Sequence, residues 1–169
     1  MDKEHTATAC GKDMPISTKH VIEIGSFISG KTLVRAKTLL KGVIAKTVAV
    51  PMKKFNMDTG HKTGMSSGSY PQKAAKQVLM LLESAEKNAQ NKGLNTEALY
   101  IQIYKANKGT TQWRSGRQRR RQAKRSHVEV ILAEKEVKKP KAEKKAVVEK
   151  QAEAPKEQKA ANTKKVEKK

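Results

Sequence analysis

Residues 105–125 read KANKGTTQWRSGRQRRRQAKR, with nine Lys or Arg, no Asp or Glu, and one Trp. Six of the chain's seven arginines fall in this run. An alternating segment lies on either side, LYIQIY at 99–104 and HVEVIL at 127–132. Leu99, Ile101 and Ile103 share one face of the first, and Val128, Val130 and Leu132 share one face of the second. That period of two is the pattern of a half-buried strand. Paired antiparallel, the two strands predict a long extended β-hairpin over 104–128. A basic block held between strands is a shaped arm that delivers guanidinium groups to a fixed place. Arginine grips phosphates and bases with a planar donor fork, whereas lysine suits diffuse attraction.

The remaining charge points the same way. The 169 residues carry a formal net charge of +21 and a pI of about 10.1. Residues 105–125 alone supply +9 of it. Such a charge repels itself in a free compact protein, so a polyanionic partner is expected. The single cysteine, Cys10, excludes an intramolecular disulfide and fits a reducing compartment. No apolar stretch approaches the roughly 20 residues of a membrane span. The first 30 residues lack the pattern of a secretory signal.

Three helices are predicted ahead of the arm. Residues 5–10 could form a weak edge strand, and Ser17 or Thr18 then caps a first helix with Val21, Ile24 and Ile28 at helical spacing, stopped by Gly30. Thr32 could cap a second, with Leu33, Ala36, Leu40 and Val43 on its apolar face and an end near Lys46. Residues 47–70 read as a long functional loop bearing Lys53, Lys54, His61 and Lys62 against one acid, Asp58. Pro71 suits the first position of a third helix built on Ala75, Val78, Leu82, Ala85 and Ala89, with Gly93 as its stop. From residue 134 the chain becomes a Lys, Glu and Ala tail without aromatics, which cannot bury enough apolar surface to offset ordering and is expected to be disordered. The expected fold class is therefore α+β, with one domain over 1–133 and a basic tail over 134–169.

Catalytic constellations are weak. His5, His20, His61 and His127 are scattered, with no Cys or acid at metal-ligand spacing. Gly60, Gly64 and Gly68 lie in a loop without the Lys-Ser/Thr ending of a phosphate-binding loop. No enzyme, metal or other cofactor is expected, and neither is a small-molecule substrate. Trp113 sits among Thr, Gln, Arg and Ser, which suits stacking on an exposed base or packing at a bend of the arm better than a core site. Ser115-Gly116 is a reasonable turn that leaves Arg117 and the residues up to Arg121 just past the tip. A solvated basic run is the plain alternative, but it has no need of flanking strands. A free-standing nucleic-acid regulator should place its strongest cluster on a base-reading helix, and this cluster is not on one.

The order of segments resembles the universal large-subunit ribosomal protein family numbered twenty-two, in its archaeal and eukaryotic form. The segments that carry the resemblance run from Ile16-Ser17-Thr18-Lys19-His20 through Gly60-His61-Lys62, Tyr70-Pro71-Gln72-Lys73-Ala74-Ala75 and Leu81-Leu82-Glu83-Ser84-Ala85-Glu86-Lys87-Asn88-Ala89 to His127-Val128-Glu129-Val130. The resemblance implies three helices on a small three-stranded antiparallel sheet, no catalysis, and a role in the folding and assembly of large-subunit RNA. It also implies a hairpin that reaches through ribosomal RNA to the nascent-peptide exit tunnel. Expected RNA-binding residues are Lys19, Lys53, Lys54, His61, Lys62, Lys105, Lys108, Trp113, Arg114, Arg117, Arg119, Arg120, Arg121, Lys124 and Arg125. Ser115, Gly116, Arg117 and Gln118 would form the tunnel tip. Implied partners are ribosomal RNA, neighbouring ribosomal proteins and the nascent chain, with no membrane and a cytoplasmic location on the ribosome. The stretch between Asn107 and His127 is a few residues shorter than the family's usual arm and lacks its Pro- and Gly-rich tip.

Overall fold

The computed structural model describes residues 5–135. The expectation of a disordered tail falls on residues outside that range, apart from Glu134 and Lys135. Strand β1 (Thr6–Met14) is followed by helices α1 (Thr18–Ile28) and α2 (Leu33–Ile44), then by two-residue strands β2 (Val50–Pro51) and β3 (Gly68–Ser69). Helix α3 (Gln72–Asn91) leads to β4 (Leu99–Lys108), β5 (Gln112–Trp113), a 3-10 turn (Gly116–Gln118), β6 (Gln122–Ala123) and β7 (Ser126–Glu134). The main sheet is antiparallel in the order β1-β7-β4. The chain is thus α+β, with three helices and a small antiparallel sheet.

The expected apolar stripes form the core. Ile24, Ile28, Leu33, Leu40, Leu82, Leu99, Ile101 and Leu132 are fully buried. Each helix turns one apolar face inward, which contributes most of its stability. Lys37 and Glu86 pair across α2 and α3.

Both edges of the sheet are covered at the end away from the arm. Along β1, the Asn88 side chain of α3 donates to Thr8 O at 2.9 Å, and Lys92 donates to Thr6 O at 2.8 Å. Along β4, Gly30 N–H donates to Ile101 O and Ile101 N–H to Lys31 O, both at 3.0 Å. Covered edges cannot recruit another strand.

Several sequence expectations are corrected. The weak strand at 5–10 extends to Met14, because β7 supplies a partner along most of that length. Helix α2 ends at Ile44, two residues short of Lys46, which itself adopts a positive φ of 63°. Pro71 is the residue before α3, and the helix starts at Gln72. Ser17 and Thr32 hold the cap positions without a side-chain cap bond. The segment 47–70 is not all loop: β2 and β3 pair across it, and Ser67 Oγ donates to Met52 O at 2.8 Å.

Strict alternation also fails in β4. A register shift between Ile101 and Ile103 inserts one residue opposite β7. An inserted residue reverses the faces beyond it. Tyr104 and Ala106 therefore pack against the core, whereas Ile103 was the expected inward residue. The tail boundary moves as well. Strand β7 includes Glu134, and Lys135 N–H donates to Ala98 O at 3.1 Å.

Candidate nucleic-acid interface

The arm is a ladder that narrows and then turns. Strands β4 and β7 stay paired out to Lys108 and Ser126. Gly109 N–H then donates to Arg125 O at 2.9 Å, and β5 pairs with β6 through Gln112 with Ala123 and Trp113 with Gln122. Arg114 N–H donates to Arg121 O at 2.9 Å, so residues 115–120 make the reversal. The strands approach closely at Gly109: a Cβ there would lie 3.1 Å from both Arg125 Cβ and His127 Nε2.

The root of the arm is fixed to the domain by β1. A register shift between Gly11 and Met14 breaks the ladder there, and Asp13 adopts a positive φ of 51°. Asp13 N–H donates to His127 Nδ1 at 3.1 Å, and Arg125 Nη1 donates to Asp13 O at 3.0 Å. One step along β7, buried Ser126 donates to Ile16 O at 3.0 Å and shares a 2.8 Å hydrogen bond with Thr18 Oγ1. The start of β7 is thereby bound to the start of α1.

A groove of about 510 Å³ opens at this junction. Its walls are Ser17 and His20 from the start of α1, Lys73 and Ala74 from the start of α3, and Arg114, Gln122, Ala123, Lys124 and Arg125 from the arm. Neither helix has an acid in its first turn, so the unpaired N–H groups there add to the positive field. His20 is half-buried, and burial followed by the nearby Lys124 ammonium holds its pKa below the ordinary 6.5.

A second basic element is shaped by an acid. Glu23 is 1% exposed on α1, and its carboxylate accepts the backbone N–H groups of Lys53, Lys54 and Phe55 at 3.1, 2.8 and 2.7 Å. Burial alone would raise its pKa. The N–H groups of Lys53, Phe55 and Lys54, with the Lys54 charge, outweigh that and hold it below its ordinary value. The loop backbone turns inward to Glu23, and the Lys53 and Lys54 side chains are left exposed.

The candidate residues separate into distinct places. Lys19, Lys53, Lys54, His61, Lys62, Lys105 and Lys108 are all exposed, as are Trp113, Arg114, Arg117, Arg119, Arg120, Arg121 and Lys124, while Arg125 is half-buried. Trp113 is 66% exposed on β5, away from any core. Ser115, Gly116, Arg117 and Gln118 occupy the reversal, and Gly116 has a φ of +62°. The structure gathers Arg114, Lys124 and Arg125 around the groove with Lys73 and His20, neither of which was among the expected RNA-binding residues. Glu23 and Asp13 were also missed. A lone acid between Val21 and Ile24 on an apolar face was the available signal for Glu23. Among the described residues no group of three or more His, Cys, Asp or Glu could hold a metal ion. No helix among them is long and apolar enough to cross a membrane.

The sequence profile of the family described as Ribosomal protein L22p/L17e matches residues 9–133. The chain belongs to that family. Three L22p/L17e relatives, each named Large ribosomal subunit protein uL22, show the extent of the likeness. The protein of Methanococcus aeolicus is 43% identical over 141 residues, covering 79% of this chain and 92% of its own length. That of Methanopyrus kandleri is 40% identical over 144 residues, covering 80% and 91%. That of Methanoculleus marisnigri is 44% identical over 112 residues, covering 64% and 73%. The L22p/L17e match begins within β1, takes in the three helices, β4 and the whole basic arm, and ends one residue before the end of β7.

Proposed function

We propose that the chain is a structural, non-enzymatic constituent of the large ribosomal subunit that binds large-subunit ribosomal RNA and supports its assembly. The observation that carries this reading is the arm. Nine cations without an acid lie on an antiparallel ladder whose root is bonded to the domain at Asp13, Ile16 and Thr18. Membership of a ribosomal protein family supplies the polyanion that such an arm needs.

The hairpin over 104–128 extends through RNA, and its tip at Ser115, Gly116, Arg117 and Gln118 lines the exit tunnel, where it meets the nascent polypeptide. Lys105 and Lys108 meet phosphates on the outgoing strand, and Arg119, Arg120, Arg121, Lys124 and Arg125 on the return. Lys19, Lys53, Lys54, His61 and Lys62 extend the contact over the domain, and Trp113 stacks on an exposed base. The domain, which runs on to Lys135, also touches neighbouring ribosomal proteins, and the basic tail beyond it adds diffuse attraction. The protein works in the cytoplasm, on the ribosome. Each phosphate neutralised releases counterions, so binding weakens steeply with salt.

Sedimentation of a native lysate at moderate salt tests this. The chain should travel with large subunits, and a chain found only at the top of the gradient would rule the reading out.

A further inference from the structure

We propose that the groove at the root of the arm takes one unstacked nucleotide of RNA, its base on the apolar floor and its phosphate among Lys73, Arg114 and Lys124. The inference rests on the RNA-binding reading above and deepens it. The volume of about 510 Å³ falls within the roughly 300–1,000 Å³ of clefts that hold small organic ligands. The apolar part of its lining, which would serve as the floor, is Ile16 with Ala74 and Ala123 of the walls, and its cations stand on three separate segments: α3, the approach to the tip, and the return from it.

Phosphate attraction alone needs no such floor, because an exposed lysine suffices. An apolar floor ringed by cations matches the two halves of a nucleotide. RNA-binding proteins read single-stranded bases by splaying them from the stack, placing the base on an apolar or aromatic surface and the backbone in positive potential. A duplex offers no free base and cannot fill the floor. The His20 ring at the groove wall supplies a flat face for the base.

The cations are available. Among the described residues no carboxylate lies within ion-pair distance of Lys73, Arg114 or Lys124. Arg125 also shapes the groove. Its guanidinium is bonded to Asp13 O at 3.0 Å, which holds the arm wall against the domain and keeps the groove in shape.

Fluorescence anisotropy with the full chain distinguishes base capture from charge capture. The two probes are a single-stranded hexanucleotide RNA and an abasic hexamer of the same backbone and charge. The expected result is about tenfold tighter binding of the base-bearing RNA, in the range of stacking one base. Ala123→Phe fills the groove without altering charge, and His20→Ala removes the flat wall. In a Trp113→Ala background, which removes stacking at the arm, either should bring the two RNAs to equal affinity while the far-ultraviolet circular dichroism stays unchanged. The preference should survive Trp113→Ala. Equal binding of both RNAs by the unaltered chain would overturn the groove and leave the RNA-binding reading standing. A preference that persists in both groove variants would likewise overturn it, placing the base elsewhere on the arm. Binding of neither RNA would remove the underlying reading as well.

Discussion

The carboxylate of Glu23 accepts the backbone N–H of Lys54 at 2.8 Å. With Lys53 and Phe55 also donating, one buried acid sets the path of a basic loop about thirty residues away in sequence. A negative charge inside a strongly positive protein is retained because three fixed N–H dipoles replace its lost water.

Glu23→Gln should therefore destabilise the fold by roughly 2–3 kcal/mol, since the amide presents donors where donors already point. Urea unfolding reads this directly. The depressed folded pKa also fixes a pH dependence. The stabilisation is complete above the ordinary value of 4.5 and is lost as pH falls through the lower folded value. The gap between the two proteins should close over that acid window. A gap that stays constant there would show that Glu23 is not the titrating group.

Gly25 meets Tyr104 across α1 and β4. A Cβ at residue 25 would lie 2.3 Å from Tyr104 Cδ1 and 2.4 Å from Cε1. Gly25→Ala should lower stability by about 1–3 kcal/mol, because the ring must leave its seat. Pairing it with Tyr104→Leu should recover part of the loss. Thermal melts of the single and double variants measure both effects, and an unaffected Gly25→Ala melt would show that the ring is not held there.

The contact also shows what the sequence could and could not reveal. Apolar periodicity in Val21, Ile24 and Ile28, in Leu33 to Val43, and in Ala75 to Ala89 identified all three helices, because a helix buries one face in a simple repeat. The alternating segments identified β4 and β7. Tyr104 was assigned to the wet face because alternation carries no sign of an inserted residue near Gln102. Asp13 was equally hidden, since its work at the root of the arm is done mostly by its backbone N–H and C=O, which carry no side-chain signature. The arm's cations were legible one by one. Their meeting with Lys73 and His20 was not, because it depends on how the arm leaves the domain.

The outer arm has few internal bonds. Between residues 110 and 122 the backbone bonds outside the short β5–β6 ladder are Arg114 to Arg121, Arg119 to Gly116 and Arg121 to Gln118. Like charges there repel until phosphates neutralise them. Amide exchange should be fast over 110–122 in the free protein and should slow markedly once ribosomal RNA is bound, whereas α3 should be protected in both states. Strong protection of 110–122 without RNA would contradict this.

Salt dependence of binding to a large-subunit ribosomal RNA fragment tests the account at its centre. Each arginine that meets a phosphate adds about 0.7–0.9 to the slope of log affinity against log salt. Replacing Arg117, Arg119, Arg120 and Arg121 with glutamine should make that slope shallower by about 3 while leaving the thermal melt of the domain unchanged. An unchanged slope would show that the arm's guanidinium groups do not meet RNA.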